Sequence, residues 1–344
     1  MNLNDYETRR RKILLAVIES FIEAALPIGS KVVSQNSRLG LSAATVRNVM
    51  AELEGEGYLT HPHTSAGRIP TAKGYRFYVD HLITSERLNE ADQRAIEKAF
   101  QHTEMIEKVM ERVARLLCEI TDQVAVVLCP QTGSSILKRV ELISVKGSEV
   151  LVVLMTNTGV IKNAIVQLAE DAGKEELMRI SHFLNTELLD LTLSEVYETL
   201  YHRLLDERGP FFYICKRAKE IIENSGLIEG EGELYLEGAR TILDKPEFRH
   251  HDQIQPIFSL LEEKKALLEL LKRDAATEGL HVHIGEELGY ENIRGCSLIT
   301  SGYRIGEKSY GTLGVIGPTR LNYVRLMSIV RHVAFKITEW TETF

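Results

Sequence analysis

Cysteine is scarce and scattered in this sequence. Its four residues, Cys118, Cys129, Cys215 and Cys296, lie too far apart for the close spacing of metal sites or disulfide frameworks, and they read as small core residues. Long apolar runs are missing as well. The longest uncharged apolar stretches, such as Val124 to Cys129 and Val150 to Met155, are six residues each, far below the roughly 20 that a membrane-spanning helix needs, which excludes an integral membrane protein. The N-terminus reaches Asp5 and Glu7 at once, with no apolar signal core and no small-residue cleavage site, so a cytoplasmic protein is expected. There is no Walker loop, no Gly-x-Ser-x-Gly elbow, no defensible Cys/His arrangement, no internal repeat and no low-complexity segment. Neither catalysis nor a cofactor is expected.

What is present is an ordinary soluble balance. The chain has 344 residues, 44% apolar and 26% charged, with a formal charge of −8, which excludes wholesale disorder and favours two or three domains. The charge is uneven. Residues 1–85 hold ten basic and eight acidic side chains, a net of +2, leaving −10 for the remainder. Between Gly29 and Tyr78 there are six Lys or Arg and three acids, and those acids (Glu52, Glu54, Glu56) sit together at the end of one predicted helix. A basic module on an acidic body suits phosphate contact, although locally basic surfaces are common on acidic proteins.

In the first helix Ile13, Leu14, Val17, Ile18, Phe21 and Ile22 form one apolar stripe, ended by Pro27-Ile28-Gly29. Ser30 is expected to cap a second helix over Lys31 to Ser37, and Arg38 to Leu41 is a tight connection containing Gly40. Ser42 starts a third helix that stops at Gly55-Glu56-Gly57. Tyr58 to His61 reads as a strand returning through Ser65-Ala66-Gly67 to Arg68-Ile69, and Pro62 and Pro70 confine this hairpin to a sheet edge. Helix, helix, turn, helix and edge hairpin is a winged helix-turn-helix pattern. A fourth helix follows from Thr71 through Leu82, and a long helical linker is expected over 86–120.

Beyond it the chain turns to strands at Val124 to Leu128, Val140 to Val145, Val150 to Met155 and Val160 to Val166. Helical patterns dominate from Lys174 to Ala276, strands return at His281, Ser297 and Gly311, and Tyr323 to Trp340 closes as an amphipathic helix. The expected fold class is α+β: a DNA-binding unit at 1–85, one α+β domain built from 121–170 and 279–344, and a mainly helical insertion at 171–278.

On the third helix Val46, Val49, Met50 and Leu53 face the core. The opposite face centres on Ala44 and Asn48, flanked by Thr45, Arg47 and Ala51. Small residues there let the backbone approach a groove, Asn48 can offer an amide to adenine, and Arg47 can offer a fork to guanine or phosphate. The bland alternative is a mixed surface helix. In the hairpin, Thr64, Ser65, Gly67 and Arg68 supply hydroxyls, a glycine tip and one long cation, common phosphate and minor-groove partners. Lys31, Lys73 and Arg76 extend the cationic surface, with solvated surface charge as the competing reading. If Lys31, Arg68, Lys73 and Arg76 each neutralise one phosphate, a dimer's log affinity falls with log salt with a slope of about 7. Tyr75, Phe77 and Tyr78 resemble a base-stacking platform, but at helical spacing they are expected to pack the fourth helix.

His61-x-His63 and His281-x-His283 lack a Cys or carboxylate at zinc spacing and read as surface or core histidines. His251-Asp252 matches the dyad of metal phosphohydrolases by two letters only. In the insertion, Ile257, Leu261, Lys264, Leu268 and Leu271 follow 4-3-4-3 spacing, too short a stretch to claim a coiled coil. This stripe must be covered by its own domain or by a second subunit. A second subunit matters because a two-fold pair reads both halves of an inverted repeat.

Several motifs carry a resemblance. Leu41-Ser42-Ala43-Ala44-Thr45-Val46-Arg47-Asn48 with Met50 to Glu54, then Thr64 to Thr71 and Gly74 to Asp80, are similar to the bacterial heat-inducible transcription repressor HrcA family. Thr156 to Gly159, Leu234 to Gly238, Lys245 to Phe248 and Gly311 to Arg320 extend the similarity along the whole chain. Val49 stands where the family often carries an acid, and Ile28 where valine is usual. The resemblance implies an N-terminal winged helix, a GAF-like domain and an inserted dimerisation domain. It further implies repression of chaperone operons through an inverted-repeat operator in double-stranded DNA, with the GroE chaperonin keeping the repressor active. Two other readings stand beside it: a ligand sensor whose GAF-like fold binds a metabolite, and a GAF-associated hydrolase using His251 and Asp252.

Overall fold

The structure is a computed structural model describing residues 3–35, 39–62, 67–81, 88–101, 106–130, 135–157, 161–206, 210–227, 233–242, 245, 264–275, 277, 279–289, 294–305 and 309–342. Its N-terminal unit consists of α1 (Leu3–Ala24), α2 (Ser30–Ser34), α3 (Ala43–Gly55), the two-stranded ladder β1 (Leu59–Thr60) and β2 (Ile69–Pro70), and α4 (Ala72–Asp80). Gly29, not Ser30, is the N-cap residue of α2. Ile13, Leu14, Val17 and Ile18 of α1 are buried with Val46, Val49, Met50 and Leu53 of α3, so the two apolar stripes meet as their spacing requires. Val49 is 3% exposed, so an apolar side chain suits this position. Tyr75 and Tyr78 are buried and Phe77 packs edge-on against Tyr58, which makes the aromatic group of α4 core.

Helices α5 (Glu90–Ala99) and α6 (Ile106–Thr121), expected as a linker, are instead a packed layer. Ile96, Val109, Val113 and Leu117 are fully buried against an antiparallel sheet, because α6 turns one broad apolar face to it. That sheet has the order β7 (Leu234–Glu237), β3 (Val124–Leu128), β10 (Ser309–Pro318), β9 (Cys296–Ile305), β8 (Leu280–Ile284). Strand β3 is buried at every residue, as an apolar run covered on both faces should be. Ala125, Val127, Leu313 and Val315 face α5, α6 and the final helix, here α11 (Tyr323–Thr341). Val124, Val126 and Ile316 face the other way, onto α10 (Lys264–Ala275). Arg325 joins α11 to α5 through a two-pronged pair with Asp92, at 3.0 and 3.1 Å.

The strands group differently from the expectation. Strands β4 (Leu137–Lys146), β5 (Glu149–Thr156) and β6 (Ile161–Gln167) form a separate three-stranded meander, not part of the sheet that holds β3. Its inner face, Val140, Val150, Val152, Leu154 and Val166, shares one core with α7 (Lys174–Glu187), α8 (Leu193–Asp206) and α9 (Pro210–Ser225). This separate unit begins near residue 135; of the two elements that the sequence placed in the insertion, β7 is an edge strand of the larger sheet and α10 packs on one of its faces. Periodicity reveals a strand but not its partner, and this is why the grouping differed. No described helix is long and apolar enough to cross a membrane.

Candidate nucleic-acid interface

The N-terminal unit presents α3 outward. Ser42 caps this helix, accepting from the Thr45 amide at 3.1 Å, and its hydroxyl lies 2.9 Å from the Thr45 hydroxyl. Both hydroxyls first serve the helix start, where the amide ends of the first turn favour an anion. Ala44, Arg47, Asn48 and Ala51 are exposed, opposite the buried Val46, Val49, Met50 and Leu53. Arg47 has no ion pair among the described residues, and the same holds for the exposed Lys31 of α2. An outward face with two alanines at its ends, an amide at its centre and a cation beside it can approach a groove and form directional contacts there.

The hairpin's stem is fixed on both sides. Arg68 and Ile28 exchange backbone hydrogen bonds at 2.9 Å, adding the chain after α1 to the β1–β2 ladder. Gly67 sits so close that a β-carbon there would fall 2.6 Å from the Ile28 carbonyl, so glycine is explained by packing and not by flexibility. Thr64 and Ser65, which the sequence reading assigned to the hairpin, lie outside the described residues, as does His63.

The three acids that end α3 are each engaged. Glu54 accepts from Arg68 at 2.6 Å and from His61, Glu56 pairs with Arg10 at 2.5 Å, and Glu52 accepts from the Tyr6 hydroxyl. Burial raises the Glu54 carboxyl pKa, but hydrogen bonds from His61 and Arg68 outweigh it and hold the group below its ordinary value. Sequence reading grouped these acids by position and missed their partners, because Glu54 and Arg68 lie in different elements and no local period connects them.

Two expected phosphate contacts are redirected. Lys73 donates to the Glu56 carbonyl at 2.8 Å and lies 4.3 Å over the Tyr58 ring, so its charge is part of the α3–α4 junction. Arg76 points away from the α3 surface to the sheet domain, where its Nε donates to Glu287 at 2.8 Å and a terminal nitrogen reaches the Val282 carbonyl. Solvated surface charge was the competing expectation for Arg76; an ion pair across the unit boundary is what the structure shows.

Leu268 and Leu271 are also corrected. They are 8% and 0% exposed on α10 and pack onto Val124, Val126 and Leu298 of the same chain, so the stripe is covered by its own domain. Ile257 and Leu261 lie outside the described residues, as do His251 and Asp252. His281 is bonded to Thr277, and His283 to Asp274, at 2.9 to 3.0 Å. Among the described residues no three His, Cys, Asp or Glu side chains converge as metal ligands would. The four cysteines are free thiols, and burial pushes Cys296 up to about 12, far from a reactive thiolate.

The HrcA protein C terminal domain, as a family, matches residues 107–327. The heat-inducible transcription repressor HrcA of Pelotomaculum thermopropionicum is 34% identical over 343 residues, covering 99% of this chain and 98% of that one. The repressor of the same name from Geobacter sulfurreducens is 35% identical over 341 residues, covering 99% of both chains. That of Natranaerobius thermophilus is 36% identical over 332 residues, covering 96% and 95%. A crystal structure of a hypothetical protein aligns with a TM-score of 0.64 at 26% identity, covering 97% of this chain and 98% of that one. The three relatives named HrcA are heat-inducible transcription repressors. The chain belongs to the HrcA family of heat-inducible transcription repressors.

Proposed function

We propose that the protein is a dimeric, sequence-specific repressor of heat-shock operons whose α3 enters the major groove in each half of an inverted-repeat operator. The N-terminal unit is read as a winged helix-turn-helix, with β1 and β2 as the stem of the wing, and the five-stranded sheet with its helices as GAF-like. One observation carries the reading: Arg47 and Asn48 are exposed between Ala44 and Ala51 on a helix whose other face is buried. Such a face suits direct readout of base edges, with Lys31 as a phosphate contact beside it.

Dimerisation draws support from the inserted unit. The outer face of its meander carries Ile143, Val145, Met155, Ile161 and Ile165, of which Ile165 is 65% exposed, with Leu151 and Val153 between them. Across the ladder Leu151 pairs with both Ile143 and Ile165, so these side chains form one continuous apolar patch. Contiguous patches of this kind mark interaction surfaces, and a second copy brings an identical patch that covers it by two-fold symmetry. An apolar interface of marginal stability also gives a physical basis for heat induction, since modest heating depletes the dimer unless the GroE chaperonin returns chains to it.

The test is binding of the purified protein to an inverted repeat and to a scrambled duplex, before and after mild heating, with and without chaperonin. Preference for the repeat, lost on heating and regained with chaperonin, supports the proposal. Full activity after heating without chaperonin refutes the chaperonin step, and equal affinity for both duplexes refutes the operator reading.

A further inference from the structure

Three side-chain attachments, among other contacts, join the N-terminal unit to the sheet domain. Arg320 donates to the Ile22 carbonyl in the last turn of α1 at 2.8 Å. Tyr75 packs on Tyr323 with ring centroids 5.8 Å apart, and the Tyr323 hydroxyl is held by Ser297 and the Thr319 carbonyl at 2.8 Å each. Arg76 makes the third attachment, and it is directional: Nε donates to Glu287 Oε1 at 2.8 Å while Nη2 reaches both Glu287 Oε2 and the Val282 carbonyl. Asp80, one turn on, lies 3.4 Å from Nη1.

Glu287 is itself positioned. It sits in the 3-10 turn Gly285–Leu288 and accepts from the Ile284 amide at 2.9 Å. Gly285 has φ +59, and a β-carbon there would lie 3.3 Å from the Ala72 β-carbon, so α4 rests directly on this turn. A ring contact tolerates rotation, whereas a planar fork on a carboxylate fixes an orientation.

We propose that the Arg76–Glu287 pair is the specificity-determining joint that sets which half-site spacing the repressor dimer accepts. The inference rests on the proposed function, because spacing has meaning only for two copies on one operator. With the bodies joined, the angle of each α4 on its sheet domain sets the separation and rotation of the two α3 helices. Adding one base pair between half-sites moves them by about 3.4 Å and about 34°, which a fixed joint rejects and a loose one absorbs.

The test begins by selecting an inverted repeat from random duplexes with the wild-type protein, then lengthening or shortening its spacer by one to three base pairs. Arg76→Ala and Glu287→Gln are compared with wild type on the spacer series and on a single half-site, the second variant keeping a neutral acceptor for Ile284. Discrimination among spacings is expected to fall about fivefold or more in both, the lower end of coupling between linked sites, with half-site affinity unchanged. Arg76→Lys, which keeps the charge but cannot fork, is expected to fall between wild type and Arg76→Ala. Undiminished spacing discrimination in Glu287→Gln overturns the inference and leaves the repressor reading standing. Failure of the wild type to select any repeat overturns both.

Discussion

Arg68 Nη2 lies 2.6 Å from Glu54 Oε2, so a cation expected to reach DNA is bound to α3 in the free chain. The same carboxylate accepts from His61, which follows β1, while Arg68 precedes β2. One acid at the end of α3 therefore holds both arms of the hairpin, and it offsets charge that phosphate would otherwise neutralise.

That relationship changes the expected salt dependence. Arg68, Lys73 and Arg76 have protein partners, leaving Lys31 and Arg47 as the exposed cations of the candidate surface. Four such contacts in a dimer give a slope of log affinity against log salt of about 4, in place of the 7 expected from sequence. Glu54→Ala removes the carboxylate paired with Arg68 and is expected to steepen the slope by about 0.9 per protomer on non-specific DNA. Fluorescence anisotropy across a salt series checks both; an unchanged slope in the variant shows that the Glu54 pair does not limit phosphate contact by Arg68.

The two faces of α3 separate function from folding. Asn48→Ala and Arg47→Ala are each expected to lower preference for operator over scrambled duplex by about 1 to 3 kcal/mol without changing the melting temperature. Met50→Ala, on the buried face at 4% exposure, is expected to cost about 2 to 5 kcal/mol of stability with base preference retained in the folded protein. Paired melting curves and competition binding distinguish these outcomes, and a reversed pattern means the helix faces DNA with its other side.

How far the sequence anticipated this molecule depends on the range of each interaction. Val46, Val49, Met50 and Leu53 follow a helical period within one element, so their burial was readable, as was the packing role of Tyr75 and Tyr78. Leu268 and Leu271 were recognised as a stripe, but whether the chain's own sheet or another subunit covers it is set by topology, which spacing does not carry. The strands at residues 137–167 were visible, yet their separation from Val124–Leu128 depends on which edges meet. The partner of Arg76 was hidden for a similar reason: Glu287 is 211 residues away, and only the folded chain brings the two together.

The outer face of the meander gives a test of dimerisation. Ile165→Glu introduces a charge where the patch is most exposed, at 65%, so the protomer is expected to fold normally. Burying that charge in the interface should raise the dimer dissociation constant at least 30-fold, about 2 kcal/mol. Sedimentation equilibrium measures it. An unchanged constant places the interface elsewhere.

Asp274 gives a pH dependence with a defined sign. Its carboxylate, 3% exposed on α10, accepts from His283 at 2.9 Å and from Thr300 at 2.6 Å. Burial alone raises its pKa, but the hydrogen bonds from His283 and Thr300 prevail and hold it below the ordinary aspartate value of 3.8. A lowered folded-state pKa means stabilisation that is complete above the unfolded value and disappears as pH falls through the folded one. Asp274→Asn is expected to lose about 1 to 3 kcal/mol at neutral pH, with the gap to wild type closing below about pH 4. Urea unfolding at a series of pH values checks it, and a gap that widens in acid contradicts the assignment.

The central claim, that the outward face of α3 reads an inverted repeat, is tested most directly by footprinting the chaperonin promoter with wild-type protein and with Asn48→Ala. Protection of two symmetric half-sites by the wild type, lost in the variant at the same protein concentration, is the expected result. A promoter left unprotected by the wild type, or protected equally by both proteins, contradicts the account.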